Sequence, residues 1–443
     1  MTAREVAIKV LKDVELGRSK SDTALNSHFH SANLESLDKA FTMHVVYGTL
    51  REKMKIDFVI QQFYRHDYQK VDIDIKNILR IGVYQLLFLN KVPKWAAVNE
   101  SVELAKRLKN QFLGNLVNGV LRNVANNLET ITFTARGGTF ADQISLQYSH
   151  PKWLLERWIQ RFSLGEAQDL MTANNAVPRL SFRINSLKTT FDEMRKLISE
   201  KGVAFQETVM EEFISAERFY DFDEFMSQGL LSVQSESQGI ACKLLDPKPG
   251  EAVLDMCAAP GGKSTYLAEM MNNKGKVLSL DIYLNKLKDI QTASERLGIS
   301  IIETLKVDAR IYAPEEKFDR VLVDAPCTGT GVLGKRAELR WRLSPNDIIA
   351  MSRLQEEILT NAATCVKPNG ELVYSTCSLE PEENMLVVRK FLATHPDWKI
   401  MDARDILQPS LHQFINQQGA VEILPHVHHY DGAFSIRLHK GNS

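Results

Sequence analysis

The stretch Val253–Thr265, VLDMCAAPGGKST, decides the fold expected for the carboxyl-terminal half of the chain. Its first residues are apolar, as in a buried strand, and the apolar residues that follow Lys263 have helical spacing. Gly261 and Gly262 therefore lie on a turn from a strand into a helix. A turn without side chains lets a ligand contact the backbone, and the unpaired N–H groups at the start of a helix favour a carboxylate or a phosphate. The stretch thus predicts a ligand-binding turn.

Two familiar motifs for such a turn are excluded by counting residues. A P-loop needs a glycine five positions before its final glycine, where this chain has Cys257, and the dinucleotide fingerprint G-x-G-x-x-G is absent. The run CAAPGGK instead resembles the S-adenosylmethionine loop of the RNA cytosine-C5 methyltransferases. The resemblance implies that S-adenosylmethionine is the cofactor and that it contacts Cys257, Ala258, Ala259, Pro260, Gly261, Gly262 and Lys263.

Length and composition place the chain among multidomain globular proteins. Its 443 residues predict two to four domains at roughly 150 residues each. With 44% hydrophobic and 25% charged residues, no long apolar run and no signal peptide at the start, we expect a soluble cytoplasmic protein that does not contact a membrane. The five cysteines form no C-x-x-C pair and have no zinc spacing, so we expect neither disulfides nor a metal site.

Charge is distributed unevenly along the chain. Residues 1–140 contain 20 Lys and Arg against 14 Asp and Glu, whereas the remaining 303 residues contain 34 against 41. The first part is therefore net +6 and the second net −7. A basic domain joined to an acidic one indicates a polyanionic partner, although surplus Lys and Arg are more often ordinary solvated surface.

Residues 1–137 are predicted to form an all-helical domain. Thr2 and Glu5 have the spacing of a capping box, and apolar residues recur three and four apart in the segments 37–64, 73–89, 96–108 and 112–128. The sequences VVYGTLR (45–51) and VNGVLRN (117–123) resemble the helical domain of the NusB antitermination factor, an RNA-binding fold. Gly48 and Gly119 are expected to allow close packing of helices.

Residues 138–229 are predicted to contain a linker helix and a small α+β subdomain. The helix has a probable core face of Trp153, Leu154, Trp158 and Phe162. After it, RLSFRINSL and VAFQETV alternate as strands do, with a helical pattern between them. The subdomain resembles the RNA-recognition-like insert that precedes the catalytic domain of the same methyltransferase family.

From residue 230 to residue 443 strands alternate with helices, which predicts a parallel sheet covered on both faces, as in Rossmann-like methyltransferases. The predicted strands are 252–257, 276–281, 301–307, 319–324, 370–377 and 434–440, and the predicted helices are 263–272, 285–297, 346–366 and 382–394. In such sheets ligands bind beyond the carboxyl ends of the strands, so the residues there are the candidates for function.

Two acidic residues follow predicted strands near the glycine turn. Asp281 lies about 20 residues after the turn, where an acid accepts hydrogen bonds from ribose hydroxyls in dinucleotide-binding folds. It is also placed to cap the next helix. Asp308 follows the third strand, and the resemblance to the family supports a contact between it and the adenine amino group.

The fourth and fifth strands end in DAPCTGTG and STCSLEPEEN, which place Asp324, Cys327 and Cys377 at one edge of the sheet. A lone cysteine is usually a small core residue, but two beside a cofactor loop indicate nucleophilic catalysis. Carbon 5 of cytosine accepts a methyl group only after a thiolate has added to carbon 6. We expect Asp324 to be a protonated acid near N3 of the ring that also contacts the cofactor, and Lys263 to lower the pKa of the thiol.

Sequence chemistry does not decide which cysteine attacks. DNA cytosine methyltransferases use the Pro-Cys cysteine, whereas the RNA family uses the Thr-Cys cysteine, and both motifs here look like the RNA family. The resemblance therefore implies that Cys377 is the nucleophile and that Cys327 helps to release the product.

The resemblance extends over nearly the whole chain and is strongest to the bacterial 16S ribosomal RNA cytosine-C5 methyltransferases of the Sun/Fmu type. It implies 16S ribosomal RNA as the substrate, and we expect a monomer. Two departures from the family pattern, Ala337-Glu338 in a loop expected to face RNA and Ala433 near the end, affect that loop rather than the cysteines. A transfer RNA cytosine-C5 methyltransferase and a non-catalytic NusB-like RNA-binding scaffold remain alternatives.

Overall fold

The computed structural model describes residues 1–134 and 137–441. These residues form two compact units. The helical unit contains residues 1–176 and 333–342, and the sheet unit contains residues 177–332 and 343–443. This division differs from the boundaries expected after residues 137 and 229, because the helices between 138 and 176 pack within the helical unit.

The helices are α1 (Ala3–Glu15), α2 (Ser21–Ser31), α3 (Ser36–Arg51), α4 (Lys53–Phe63), α5 (Ile73–Phe88), α6 (Lys94–Leu108), α7 (Gln111–Asn126), α8 (Phe140–Tyr148), α9 (Lys152–Arg161), α10 (Leu164–Asn175), α11 (Phe191–Glu200), α12 (Asp223–Ser227), α13 (Glu236–Leu245), α14 (Gly262–Met270), α15 (Leu284–Leu297), α16 (Leu339–Arg342), α17 (Pro345–Thr364), α18 (Met385–Thr394) and α19 (Pro425–His428). The strands are β1 (Leu180–Ile184), β2 (Gln206–Glu207), β3 (Phe213–Ala216), β4 (Leu231–Val233), β5 (Ala252–Asp255), β6 (Lys276–Asp281), β7 (Ile302–Lys306), β8 (Phe318–Asp324), β9 (Val366–Thr376), β10 (Trp398–Met401), β11 (Val421–Ile423) and β12 (Ala433–Lys440). None of the helices in the described ranges is both long and apolar enough to cross a membrane.

The helical unit begins with the predicted capping box. The Thr2 hydroxyl accepts a hydrogen bond from the Glu5 N–H, and the Glu5 carboxylate accepts one from the Thr2 N–H at 2.6 Å. The segment 37–64, which has helical spacing, contains two helices, α3 and α4, which meet at Glu52. Apolar side chains from α1, α3, α5 and α7 fill one core. Of the four residues predicted as the core face of the linker helix, Leu154 and Trp158 are fully buried, whereas Trp153 and Phe162 are only partly buried.

Residues 333–342 leave the sheet unit and complete the helical unit. Arg340 is fully buried there and donates hydrogen bonds to the Asn175 side chain at 2.7 Å and to the Asn174 carbonyl at 3.1 Å. The Trp341 indole N–H donates to the Leu50 carbonyl at 2.6 Å. The Glu338 carboxylate accepts hydrogen bonds from the Ser21 N–H and hydroxyl.

The expectation that Ala337 and Glu338 lie on a loop facing RNA was therefore wrong. Ala337 is fully buried in the apolar core of the helical unit, and Glu338 is 1% exposed. A small residue fits that core, and the carboxylate is satisfied by the start of α2. The departure from the family pattern at these two positions is a change in packing.

The sheet unit contains two sheets. The smaller is antiparallel with the order β2-β3-β1-β4, and α11 packs against it through Met194 and Ile198. The larger has the order β10-β12-β9-β8-β5-β6-β7, with β11 paired to β12. Strands β5 to β9 are parallel, and β12 runs antiparallel to β9 and β10. This is the predicted Rossmann-like arrangement.

Most predicted strands of the larger sheet are present within two residues at each end. The exception is β9, which begins at Val366 rather than at residue 370, and the pattern did not reveal two strands, β10 and β11. The chain order reverses at β5, whose neighbours are β6 and β8. A crevice beyond the carboxyl ends of the strands is expected at such a reversal, and the candidate site lies there.

The two glycines expected to bring helices together differ in the structure. A Cβ atom on Gly48 would lie 2.0 Å from the Tyr84 ring, so α3 and α5 approach as closely as predicted. A Cβ atom on Gly119 would meet nothing within 4 Å, so the expectation for Gly119 was wrong.

These glycines provide a matched pair of variants. Gly48→Ala should destabilise the helical unit by about 1–3 kcal/mol, because the added methyl group overpacks a filled core. Gly119→Ala should leave stability unchanged or raise it by up to about 1 kcal/mol, because alanine has the higher helix propensity. Thermal unfolding of the two variants beside the parent measures the difference. Equal unfolding temperatures for the two variants would contradict the packing assigned to Gly48.

Candidate active site

The glycine turn joins β5 to α14 as predicted. Gly261 has a φ of +104°, a left-handed conformation that favours glycine, and a Cβ atom there would lie 2.8 Å from the Ile290 side chain. α14 begins at Gly262, and a Cβ atom on Gly262 would lie 3.7 Å from the nearest atom, an ordinary contact distance. The turn therefore presents backbone and the first N–H groups of a helix at the carboxyl edge of the sheet.

A buried arginine from the small sheet holds this turn in place. Arg183 of β1 is fully buried and donates a hydrogen bond to the Gly262 carbonyl at 2.9 Å and one to the Thr265 hydroxyl at 3.1 Å. It also forms a two-point ion pair with Glu269 of α14, at 2.9 and 2.7 Å. The small sheet is thus attached directly to the helix that follows the turn.

Asp281 and Asp308 lie where the sequence placed them, at the ends of β6 and β7. One Asp281 oxygen accepts a hydrogen bond from the Tyr283 N–H at 2.8 Å, the turn-capping contact expected as the alternative role. Its second oxygen has no hydrogen-bond partner among the described residues. Asp308 forms an exposed ion pair with Arg310 at 2.6 Å, and hydrogen bonds from Arg310 lower the pKa of Asp308.

Lys263 and Asp324 form an ion pair, with Nζ to Oδ2 at 2.7 Å. Burial acts to lower the pKa of Lys263, but Asp324 outweighs it and the net pKa is raised, which keeps the ammonium charged. The Asp324 side chain is 33% exposed. The physical basis for a neutral Asp324 was desolvation, and the structure instead shows partial exposure and a cationic partner. Because that expectation concerns Asp324 beside a bound nucleotide, it stays a prediction.

Asp255, which sequence reasoning did not select, is an acid buried behind this pair. It is fully buried, accepts a hydrogen bond from the Ser264 hydroxyl at 2.7 Å, and its other oxygen has no partner among the described residues. Burial raises its pKa to about 7. The sequence did contain a signal for Asp255, because it is an acidic residue at the end of the apolar run of β5.

Cys327 and Cys377 are in contact, as their strand-end positions predicted. Their Sγ atoms are 3.1 Å apart, and the Cys377 N–H lies 3.3 Å from the Cys327 sulphur. The pKa of Cys327 is raised well above its ordinary value, first by the hydrogen bond with Cys377 and then by burial. Cys327 is thus held as a thiol that can donate a hydrogen bond to Cys377.

Backbone contact fixes the loop after Cys327 against the loop after Cys377. The Gly331 N–H donates to the Cys377 carbonyl at 3.0 Å, and a Cβ atom on Gly331 would lie 2.8 Å from that carbonyl. A second acid missed by sequence reasoning, Glu383, is fully buried between the same loops. It lies in the STCSLEPEEN motif, which was the available signal.

Burial also raises the pKa of Cys257, the first residue of the glycine turn. In the part of the chain that the structure describes, no group of three or more His, Cys, Asp or Glu side chains is arranged to hold a metal ion. The polar groups that the site offers for chemistry are the two cysteines, the Lys263–Asp324 pair and the acids around them.

Comparison with known proteins assigns three parts of the chain to families. The family model for the 16S rRNA methyltransferase RsmB/F matches residues 242–439, that for the NusB family matches residues 1–126, and that for the RsmF/B-like ferredoxin-like domain matches residues 150–221. The probable ribosomal RNA small subunit methyltransferase B of Bacillus subtilis (strain 168) is 32% identical over 449 residues, which cover 99% of both chains. The chain belongs to the ribosomal RNA small subunit methyltransferase B family.

Other relatives extend the comparison. The probable ribosomal RNA small subunit methyltransferase B of Synechocystis sp. (strain ATCC 27184 / PCC 6803 / Kazusa) is 34% identical and covers 99% of this chain and 100% of its own. The crystal structure of PH0851 has a TM-score of 0.84 and 30% identity over 99% of both chains. The predicted resemblance and the fold class, with its NusB-like, small α+β and Rossmann-like methyltransferase parts, are confirmed.

The raised pKa of Asp255 makes stability depend on pH. The unfolded acid ionises near its ordinary value of 3.8, whereas the folded one keeps its proton until about pH 7. Ionised Asp255 therefore costs stability as the pH rises between these values, by up to about 4 kcal/mol. Asp255→Asn removes the titration and can still accept from Ser264. The measured quantity is the free energy of unfolding of Asp255→Asn minus that of the parent, from urea unfolding. This difference should be lowest near pH 4, rise up to pH 7 and stay constant above pH 7.

Asp319→Asn is the matched control. Burial acts to raise the pKa of Asp319, but its hydrogen bonds with Lys367 and the Ala252 N–H outweigh burial and lower it. This variant should lose stability relative to the parent as the pH rises towards about 4, the opposite sign, and should show no further change between pH 4 and pH 7. A stability difference for Asp255→Asn that does not change with pH would show that Asp255 ionises normally.

Proposed function

We propose that the protein methylates carbon 5 of a cytosine in 16S ribosomal RNA in the cytoplasm, with S-adenosylmethionine as the methyl donor, through a covalent bond between Cys377 and carbon 6. The contact between the two sulphurs, with Cys327 held as the thiol, supports this proposal most. A non-catalytic scaffold has no need for two cysteines in contact beside an ion pair and a glycine turn.

The residues of the turn fit S-adenosylmethionine. Gly261 lacks the side chain that would meet Ile290, and the start of α14 offers N–H groups to the carboxylate of the methionine part. The second oxygen of Asp281 is available to ribose hydroxyls, and Asp308 would contact the adenine. When bound, the cofactor supplies an electrophilic methyl group to carbon 5.

The reacting residues divide the chemistry between them. The Cys377 thiolate adds to carbon 6 of the ring, which makes carbon 5 nucleophilic. Negative charge then builds on the ring at N3, and a proton passed from Lys263 through Asp324, which are 2.7 Å apart, would neutralise it. Methylated carbon 5 then gives its proton to a water molecule, the double bond between carbons 5 and 6 forms again, N3 returns its proton to Asp324, and the Cys377–carbon 6 bond breaks. The Cys327 thiol assists by donating a hydrogen bond to the departing sulphur.

The helical unit supports an RNA substrate. It contains the NusB match and most of the basic amino-terminal segment, and the relatives are named for small-subunit ribosomal RNA. We propose that it holds the RNA through phosphate contacts while the target cytosine leaves its stack to enter the site.

The cofactor proposal predicts a loss of binding in Asp281→Ala. Each hydrogen bond from a ribose hydroxyl to the carboxylate is worth about 1.5–3 kcal/mol, so calorimetry should show S-adenosylmethionine binding at least about tenfold more weakly. Asp289→Ala, which removes an exposed acid on α15, is the control and should bind normally. Equal affinities for the two variants would remove Asp281 from the cofactor site.

The two cysteines should fail at different steps. Cys377→Ala cannot attack carbon 6 and should give neither methylated RNA nor a covalent adduct. Cys327→Ala should still attack and methylate but should release product slowly. With 16S ribosomal RNA and S-adenosylmethionine it should therefore accumulate a protein–RNA band on denaturing electrophoresis, and adding Cys377→Ala should abolish that band.

Transfer RNA serves as the substrate control and should give neither methylation nor a band. A band from Cys377→Ala that is lost in Cys327→Ala would instead assign the DNA-type nucleophile. Methylation of transfer RNA in place of 16S ribosomal RNA would support the alternative substrate.

A further inference from the structure

Glu383 is a fully buried acid whose hydrogen-bond partners are all neutral. One carboxylate oxygen accepts hydrogen bonds from the Thr328 and Ser378 hydroxyls, the latter at 2.5 Å. The other accepts from the Thr328 N–H at 2.9 Å and from the Gln355 side chain at 3.0 Å. Four donors around one carboxylate satisfy both of its oxygens.

Two of these donor residues are direct sequence neighbours of the two cysteines. Thr328 directly follows Cys327, and Ser378 directly follows Cys377. The two cysteines belong to different strand ends, 50 residues apart in sequence. A single carboxylate therefore bonds to the next residue after each cysteine and joins the two loops that carry them.

Glu383 is itself held on two sides. Its backbone carbonyl accepts a hydrogen bond from the Tyr374 hydroxyl at 2.5 Å, and Tyr374 is a fully buried residue of β9. Gln355, fully buried on α17, donates both to the carboxylate and to the Pro326 carbonyl at 2.9 Å, immediately before Cys327. The carboxylate is thus anchored to the strand that ends at Cys377 and to both sides of Cys327.

We propose that Glu383 is a positioning residue that holds the Cys327 and Cys377 loops together, so that the two sulphurs stay in contact during attack and release. This inference rests on the proposed function, because it assigns these sulphurs to successive steps. Glu383 acts through the two loops and does not itself touch the RNA base.

Glu383 acts through the length of its side chain and its hydrogen bonds. Substitutions by glutamine and by aspartate should therefore have different effects on activity. Glutamine has the same length: its oxygen can accept from the Thr328 N–H and Gln355, and its amide can donate to the two hydroxyls, which can turn to accept. Aspartate keeps the charge but is one methylene shorter and cannot reach both loops. Positioning therefore predicts that Glu383→Gln retains more activity than Glu383→Asp, whereas a purely electrostatic role predicts the reverse.

The test measures methyl transfer to 16S ribosomal RNA and S-adenosylmethionine binding for the Ala, Asp and Gln variants of Glu383. The Ala and Asp variants should lose about 100-fold in kcat, the scale of a 1 Å misplacement, with an unchanged KM for S-adenosylmethionine. The Gln variant should stay within about tenfold of the parent. A kcat near the parent value in folded Glu383→Ala, or equal losses in the Gln and Asp variants, would overturn the proposal.

Glu371→Gln is the matched control. Glu371 is a partly buried acid on β9 that pairs with Arg437 and His439, away from the cysteine loops. It should lose stability without a change in kcat. If Glu383→Ala does not fold, Ser378→Ala provides the test, because it removes one hydrogen bond between a loop and the carboxylate. It should lower kcat about tenfold, and a normal kcat would overturn the proposal.

A measurement without RNA separates this proposal from the proposed function. Diamide oxidises two thiols in contact to a disulfide and is itself reduced to the hydrazine. Mass spectrometry should find the peptide linking Cys327 and Cys377 in the parent and in Glu383→Gln, and at least tenfold less of it in Glu383→Ala. Equal yields in all three would overturn positioning. Unequal yields in a protein that does not methylate 16S ribosomal RNA would overturn the proposed function alone.

Discussion

The geometry of the glycine turn depends on the buried ion pair between Arg183 and Glu269. The arginine side chain is fully buried and the glutamate is 1% exposed, so neither charge is shared with water. Removal of one partner from such a pair costs about 3–5 kcal/mol, because the remaining charge stays buried and uncompensated. The pair therefore fixes the position of the small sheet against α14. Since Arg183 also bonds to the Gly262 carbonyl, that position includes the glycine turn.

The contact explains why the small sheet and the larger sheet belong to one compact unit. A subdomain attached only by apolar packing can slide, whereas a bidentate arginine accepts one orientation. The small α+β subdomain is thus part of the scaffold of the site. Burial raises the pKa of Glu269 even with Arg183 beside it, which indicates how completely the pair is removed from solvent.

The acids of the site differ in environment. Asp255 is buried without a cationic partner, Asp324 is partly exposed and paired with Lys263, and Glu383 is buried among neutral donors. Only the second is partly exposed, and it lies at the end of β8. The first and third are embedded in the protein that supports the reacting groups.

Patterns in the sequence predicted the features that depend on residues close together along the chain. The ends of β6 and β8, with Asp281 and Asp324, followed from apolar runs that stop at an acid, and the contact between the cysteines followed from the rule that parallel strands end at one edge. Residues whose role depends on distant partners were missed. Glu383 meets Thr328 across 55 residues, and Arg183 meets Glu269 across 86. Gly48 and Gly119 occupy similar helical motifs, and only the tertiary structure shows which one faces a neighbouring helix.

The insertion of residues 333–342 into the helical unit has a consequence for folding during synthesis. Domains generally fold from the amino terminus as the chain emerges from the ribosome. Here the amino-terminal helices emerge first, but the carbonyls and side chains that receive Arg340 stay without their partner until more than 300 residues have been made. The helical unit is therefore completed only after β8 and the Cys327 loop have been synthesised. The first unit to emerge cannot finish folding before most of the second unit exists.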